Sequence, residues 1–229
     1  MNSKLLLKTT FWLLLPFFTK AQSQQKESDS LRTVLKNAAN DTVKMIALNN
    51  LASYYAESNR DSAMLFIEEA IPIAKKMNQQ LWIADFLLSK SYLVQKQANF
   101  SLSLKMCNQA MEIVQDKKNE RNAYILKEDE FASDPEKYRK SSMLNVFHQL
   151  GNTWSGAGNK EKAIEYYKEE IRVAKELKTK SGLVTSHMNI GNIFLGMNKL
   201  DSAFIYSARA LENINLSGWK AYEGFILED

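Results

Sequence analysis

The sequence is poor in the residues that build disulfide frameworks, metal centres and irregular folds. Its 229 residues include one cysteine, two histidines, three prolines and eight glycines. One cysteine excludes an internal disulfide, and no cysteines or histidines cluster at zinc-ligand spacing. Few prolines and glycines, together with 45% hydrophobic residues, favour an all-helical packed chain.

Patterns that carry catalysis are also missing. There is no HExxH, and Gly151-x4-Gly156 is followed by Ala157 where a phosphate-binding loop needs lysine. Paired acids such as Glu169-Glu170 fit charged helix surfaces, and no nucleophile and base stand in a recognisable arrangement. We therefore expect no catalytic residue, no metal site and no cofactor within this chain.

Residues 1–21 differ from the rest of the chain. Lys4 and Lys8 precede a short apolar run at 11–18, which ends in Lys20-Ala21. This order predicts a secretory signal peptide that is cleaved after Ala21. A membrane anchor or a buried helix is the alternative, although an anchor needs about 20 apolar residues. The signal peptide predicts an exported protein in the periplasm or cell envelope.

Most of the apparent basicity of the chain belongs to this segment. Removing Lys4, Lys8 and Lys20 leaves 27 basic and 26 acidic residues, so the net charge falls from +4 to +1. A nucleic-acid interface would need a concentrated basic face. The remaining sequence has none, so we expect no nucleic-acid partner.

One pattern recurs along the chain. Phe147-x2-Leu150-Gly151-x2-Trp154, with Ala163-x3-Tyr167 after it, returns 40 residues later as His187-x2-Ile190-Gly191-x2-Phe194 with Ala203-x3-Ser207. Earlier copies begin at Leu48 and, more weakly, at Asp85, which stands where a large residue is expected. A second small position, seven residues after the first, carries Ala70, Ala110, Glu170 and Ala210. Residues at i, i+3, i+4 and i+7 share a helix face, so each copy predicts two helices that cross closely at small residues.

These motifs resemble the tetratricopeptide repeat (TPR) family, and the resemblance covers residues from Asp29 onwards. It implies an all-α right-handed superhelical solenoid of antiparallel helix pairs. The repeats are expected at about 44–78, 82–115, 143–178 and 183–215, after an N-terminal helix that opens at Asp29-Ser30-Leu31. Residues 22–27 are expected to be a disordered leader, and 28–229 one repeat domain.

The resemblance also assigns the side chains that pack the repeats together. Those residues are Leu51, Tyr55, Ala63, Ala70, Leu88, Tyr92, Ala110, Leu150, Gly151, Trp154, Ala163, Tyr167, Ile190, Gly191, Phe194, Ala203 and Ala210.

Two segments depart from the regular repeat. Residues 115–142 form an insert in which half of the positions are charged. It is either a solvated helix extension with a loop, or a functional insert that closes over a groove. Its Tyr124, Phe131 and Tyr138 predict that part of it docks. Residues 217–229 fit the start of a fifth repeat, which implies a longer protein, or alternatively an amphipathic capping helix.

In the TPR family the first helix of each pair lines a concave groove. The resemblance places eight residues of this chain there: Asn49, Ser53, Phe86, Lys90, His148, Asn152, Met188 and Asn192. An asparagine amide has two donors and an acceptor, so it can pair with the backbone of an extended peptide. The alternative is that Asn152 and Asn192 satisfy neighbouring helix backbone.

The signal peptide, the Asp29-Ser30-Leu31 opening and the Asp61-Ser62-Ala63 and Asp201-Ser202-Ala203 helix starts resemble the exported N-terminal repeat regions of bacterial membrane-bound sensor kinases and regulators. This resemblance implies a non-enzymatic module that binds a protein or peptide segment and serves as the sensory input of a larger signalling protein. A membrane would be reached only through a segment beyond Asp229. The alternatives are a free-standing exported scaffold for an envelope complex, and a protein whose enzyme domain follows Asp229.

Overall fold

The computed structural model describes residues 26–217, and all regular secondary structure within them is helical. The α-helices are α1 (26–36), α2 (Asp41–Tyr55), α3 (Arg60–Lys76), α4 (Gln80–Gln95), α5 (Phe100–Gln115), α6 (Pro135–Gly156), α7 (Lys160–Leu177), α8 (Lys180–Leu195) and α9 (Leu200–Ser217). A 3-10 turn spans Lys117–Glu120. The predicted signal peptide and residues 218–229 of the predicted fifth repeat lie outside the described residues.

The predicted all-α fold of paired helices is confirmed. Helices α2 to α9 form four consecutive pairs, and turns of three or four residues join the two helices of each pair. Such short connections make the two helices antiparallel neighbours. This arrangement is that of a helical-repeat solenoid.

The turns inside the pairs share one design. The side chains of Asn59, Asn99 and Asn159 cap α3, α5 and α7, and each accepts a hydrogen bond from a backbone N–H in the first helical turn at 3.0–3.2 Å. An asparagine cap satisfies one of the backbone donors that a helix start leaves without a partner. The chain therefore turns and restarts its helix at the same place in three pairs.

The residue before the cap is left-handed in the later turns. Ala98, Gly158 and Asn198 have φ values of 59°, 85° and 56°. Glycine adopts this conformation freely and asparagine tolerates it, whereas alanine pays a steric cost. The turn at Ala98 is therefore the least suited of the three to its residue.

The described chain divides into two compact units between Ile73 and Ala74. In the first unit, Met45, Leu48 and Leu51 of α2 are fully buried, and the Tyr55 ring of α2 stacks on Phe66 of α3 with ring centres 5.8 Å apart. Helix α1 is fixed by a 2.6 Å hydrogen bond between Ser28 Oγ and Tyr55 Oη. Residues 26 and 27 of the predicted disordered leader are helical, so the leader prediction is wrong for them.

In the second unit the tightest packing lies within the pairs α4/α5, α6/α7 and α8/α9, and successive pairs also contact each other. One apolar cluster of this unit joins α4, α5, α6 and α7, and Val146 and Ala174 are fully buried within it. Ser91, Ser103 and Thr153 add a buried chain of hydroxyl bonds between α4, α5 and α6, each 2.8 Å long. Serine thus takes the place of the expected small apolar residue because neighbouring hydroxyls satisfy it.

Helix α6 is longer than the repeat pattern predicts. It begins at Pro135, eight residues before the predicted start of the third repeat. Asp134 caps it by accepting from Lys137 N at 3.0 Å, and proline suits the first helical position. The last part of the predicted insert is thus helix.

We call residues 116–134, between α5 and α6, the strap.

None of the helices in the described part of the chain is long and apolar enough to cross a bilayer.

Candidate functional site

The candidate site is a groove in the second unit with a volume of about 460 Å³. It lies between the C-terminal ends of α4, α6 and α8, and α7 closes one side. We call it the groove. Its lining residues are Tyr92, Gln95, Lys96, Asn152, Ser155, Gly156, Lys160, Tyr167, Asn189, Asn192, Ile193 and Gly196.

A hydrogen-bond network fixes the floor of the groove around Asn152. Tyr167 Oη donates to Asn152 Oδ1 at 2.6 Å, and Gln95 Nε2 donates to the Asn152 carbonyl at 3.0 Å. Gln149 Nε2 in turn donates to Gln95 Oε1 at 2.8 Å. The Asn152 carboxamide is therefore oriented by a tyrosine side chain, and its NH2 group remains as a donor.

Asn189 and Asn192 stand one helical turn apart on α8 and both line the groove. Asn192 is exposed and Asn189 half-buried. Within residues 26–217 neither carboxamide has a hydrogen-bond partner in the structure. Each can offer two donors and an acceptor to a ligand. Three carboxamides thus face the groove from two neighbouring helices.

The charged groups that line the groove are both positive. Lys160 Nζ donates to the Gly196 carbonyl at 2.9 Å, which links the start of α7 to the end of α8. Lys96 Nζ lies 5.0 Å from the centre of the Tyr92 ring. Of the twelve lining residues, none is Asp or Glu. The local potential therefore favours a ligand that carries negative charge.

Tyr167 supplies a neutral hydroxyl at the groove floor. Burial raises the pKa of its phenol well above the ordinary value, and the nearby Glu170 carboxylate raises the pKa further. A tyrosine that stays protonated keeps donating to Asn152 at all physiological pH values. The orientation of the Asn152 carboxamide is thus independent of pH in that range.

Glu170, on the same helix as Tyr167, is the exception to the small-residue pattern. Glu170 has 1% side-chain exposure, and both of its oxygens lie 3.1 Å from His148 Nδ1. Thr185 Oγ1 adds a longer donor at 3.4 Å. A buried carboxylate needs such partners, so Glu170 is accommodated where the other pairs have alanine because His148 reaches it.

The eight predicted groove residues do not all lie together in the structure. Asn152 and Asn192 line the groove of the second unit, whereas Lys90, His148 and Met188 do not. Asn49 and Ser53 lie on α2 in the first unit. Phe86 is fully buried in α4, so its placement on a groove surface is wrong. A large apolar ring on an inward face of α4 is better stabilised by packing than by exposure.

The predicted packing residues are all buried or half-buried. Tyr92 and Tyr167 belong to this set and also line the groove. Gln95, Lys96 and Lys160 were absent from the predicted groove. They stand at helix ends beside the turns, whereas the repeat pattern identifies positions in the middle of each first helix. Gln95 follows Tyr92 by three residues, a spacing that places both on one helix face, so this spacing could have identified Gln95.

The described residues contain no group of three or more His, Cys, Asp or Glu side chains close enough to hold a metal ion. The single cysteine, Cys107, is free and buried. Burial raises the pKa of its thiol, and Ser91 Oγ lies 3.0 Å from its sulfur. A buried neutral thiol is a poor nucleophile.

Comparison with known proteins identifies the fold. The sequence matches no protein-family model and no curated protein. Among solved structures, BtubC (BKLC) from P. vanneervenii superposes with a TM-score of 0.61 at 15% identity over 88% of this chain and 77% of that chain. The nearly identical TPR-like repeats of a kinesin light chain from Podosopora anserina give 0.54 at 13% identity over 96% and 100%.

A third similar structure is a much longer protein. It is a signal transduction ATPase with numerous domains that has a tetratricopeptide repeat sensor, from Pyrococcus horikoshii. The TM-score is 0.62 at 19% identity, and the match covers 85% of this chain but 28% of that chain. Identities this low establish the shared TPR-like fold alone.

Proposed function

We propose that this chain is a non-enzymatic interaction module that binds an extended peptide or protein segment in the groove. The observation that carries the proposal is the set of three carboxamides, Asn152, Asn189 and Asn192, on neighbouring helices. Helical-repeat folds commonly use such surfaces to bind partners.

The carboxamides favour recognition of backbone. A peptide in extended conformation presents an N–H and a C=O at each residue, and a side-chain amide can pair with both. Asn189 and Asn192 are one helical turn apart, so they can contact successive peptide units. Binding of this kind depends little on the ligand sequence.

The lysines add selectivity for charge. Lys96 and Lys160 are the charged groups that line the groove, and no carboxylate in the lining neutralises them. An acidic side chain or a carboxylate terminus on the ligand would pair with either ammonium group. We therefore propose an acidic segment as the preferred ligand, with affinity that falls as salt rises.

A peptide selection tests this function. Peptides selected on the purified protein would be measured by calorimetry against the double variant Asn189→Ala/Asn192→Ala, which should bind about tenfold more weakly. Asn108→Ala/Asn145→Ala is the matched control, because both of these asparagines are exposed and lie outside the groove lining. Equal loss in both double variants, or no loss in either, would contradict the groove as the binding site.

The proposed setting is the periplasm or cell envelope, and the proposed role is the sensory input region of a histidine kinase or regulator. Support comes from the signal-peptide pattern of residues 1–21 and from the repeat sensor of the signal transduction ATPase that shares the fold. A reporter active only after export, fused behind Asp229, should lose its activity when 1–21 are deleted.

Sequencing the transcript past the Asp229 codon separates the signalling role from the scaffold alternative. A membrane helix followed by a signalling domain supports a sensor. A stop codon at that point would leave a free-standing exported scaffold.

A further inference from the structure

The strap docks beside the turn that joins α3 to α4. Tyr124 N donates to Gln79 Oε1 at 2.7 Å, and Trp82 Nε1 donates to the Tyr124 carbonyl at 2.8 Å. These two bonds run in opposite directions between one strap residue and the start of α4. The repeat pattern has no counterpart of the strap, so a cavity that the strap forms with this turn is an addition to the repeat.

Such a cavity, of about 280 Å³, lies between the strap and the turn, and we call it the strap pocket. Small-molecule sites usually have volumes of about 300–1,000 Å³, so the strap pocket suits a small ligand. It shares no residue with the groove. The residues that line it are Asn78, Gln80, Lys118, Asn119, Arg121 and Asn122.

Carboxamides from both sides form most of this lining. Asn119 Nδ2 donates to the Ile113 carbonyl at 2.7 Å, which ties the strap to the end of α5. Gln80 Nε2 donates to Asn78 Oδ1 at 3.3 Å, and Asn78 has a left-handed backbone with φ 53°, which asparagine tolerates. Among residues 26–217, no group accepts a hydrogen bond from the NH2 of Asn78 or Asn122. Both NH2 groups therefore remain as donors for a ligand.

Both charged residues of the lining are cations. Lys118 and Arg121 are exposed, and in the part of the chain that the structure describes neither side chain has an ion-pair partner. The two acidic residues of the same strap segment are already engaged. Asp116 Oδ1 accepts from Lys118 N at 2.9 Å, and Glu120 Oε1 accepts from Arg139 Nε at 2.6 Å. The positive charge of the strap pocket is therefore not neutralised by its own lining.

This set of side chains matches the chemistry of an oxyanion. The arginine guanidinium is a planar fork that can donate to two oxygens of a phosphate or carboxylate, and a lysine ammonium adds a second positive charge. Carboxamide NH2 groups add neutral donors. Two cations at one small cavity favour an anion with two negative charges over an anion with one.

We propose that the strap pocket binds a small molecule through a doubly charged oxyanion group, either a phosphate or a dicarboxylate. Arg121 donates to two of its oxygens, Lys118 pairs with the remaining charge, and the NH2 groups of Asn78 and Asn122 donate from the turn and the strap. The strap pocket and the groove are separate, so the inference is independent of the proposed function.

Titration of the full chain with inorganic phosphate, followed by NMR, tests the site. It is done at constant ionic strength and at about pH 8, where phosphate has largely lost its second proton. The side-chain NH2 signals of Asn78, Asn119 and Asn122 and the Nε–H signal of Arg121 should shift together and saturate with one dissociation constant. Malonate in place of phosphate tests the dicarboxylate, and the anion that binds more tightly identifies the group.

A pair of double variants decides whether the strap pocket is responsible. Lys118→Gln/Arg121→Gln should weaken binding at least about tenfold, because both charge-assisted contacts are lost. Lys178→Gln/Lys180→Gln is the matched control and should leave binding unchanged. It removes the same charge at the corresponding turn between α7 and α8, where Lys178 has φ 60°, and neither lysine lines the strap pocket.

Shifts that fail to saturate with either anion, or equal weakening in the two double variants, would overturn the proposal. Should Lys118→Gln/Arg121→Gln fail to fold by circular dichroism, the single variant Arg121→Gln takes its place. Unchanged binding of both anions in that variant would overturn the proposal equally.

Discussion

Replacing Gly151 by alanine should destabilise the protein, although alanine is the better helix former. A Cβ atom at position 151 would lie 2.5, 2.7 and 2.8 Å from three ring atoms of Tyr167. Tyr167 has 2% exposure, and its hydroxyl is held by Asn152 at 2.6 Å. The ring cannot rotate away without breaking that bond or opening the core.

Overpacking of this kind typically lowers stability by about 1–3 kcal/mol. We expect a loss near the upper end, because a shift of the Tyr167 ring would also weaken its hydrogen bond to Asn152. Higher helix propensity offsets about 1 kcal/mol of the cost. The expected net loss is about 2 kcal/mol, which lowers the melting temperature by roughly 4–8 °C in a chain of this size.

Gly191→Ala is the matched control, since Gly191 occupies the same place in the next pair. Its new Cβ would meet the Ser207 Oγ at 3.1 Å and backbone atoms no closer than 3.5 Å. A small hydroxyl can turn aside, so we expect this variant to melt within about 2 °C of the wild type. Thermal melting followed by circular dichroism measures both variants. Equal melting temperatures for the two variants would refute the close crossing of α6 and α7.

Three further predictions concern the helix turns, Asp85 and the two groove lysines. Ala98→Gly should stabilise the chain by about 0.5–1 kcal/mol and Gly158→Ala should destabilise it by about 1 kcal/mol, since φ is positive at both positions; urea unfolding that changes both in the same direction would contradict this. Asp85→Asn should raise stability at pH 8 by about 2 kcal/mol, and the gain should vanish as the pH falls from 7 towards 4. The sign follows because the folded chain binds this proton more tightly than the unfolded chain, so wild-type stability is lost as the pH rises; melting curves with a constant difference would refute it. Lys96→Gln/Lys160→Gln should weaken binding of an acidic peptide several-fold at low salt and have little effect at 1 M salt, and a loss independent of salt would argue against charge pairing.

The helix pairs could be predicted because their packing leaves a periodic record in the sequence. Gly151 and Ala163 are small because two helices cross there, and the same need recurs at Gly191 and Ala203. A recurring physical constraint selects the same residue type each time, so spacing alone indicates helix, turn and helix.

The groove could be predicted only in part. Asn152 and Asn192 follow the repeat and were identified from it, whereas Lys96 and Lys160 stand at helix ends where no repeat constraint acts. Phe86 is the opposite case, because the repeat assigns it to the groove and the structure does not. Its place in the repeat is a groove position, but α4 is apolar on several sides and buries that ring.

The strap could not be derived from the sequence because its contacts are long-range. Trp82 and Tyr124 are 42 residues apart, and no periodicity connects them. The sequence holds two separate anomalies, Asp85 in a large-residue position and a charged insert with apolar residues. In the structure the insert docks on Trp82, about one helical turn before Asp85.

The most direct test of the proposed binding site follows the side-chain amide signals of the asparagines by NMR during titration with a selected acidic peptide. Binding in the groove predicts that the NH2 signals of Asn152, Asn189 and Asn192 shift together and saturate at one peptide equivalent, while those of Asn108 and Asn145 stay in place. Saturable binding that leaves the three groove signals unmoved would contradict the groove as the site of recognition.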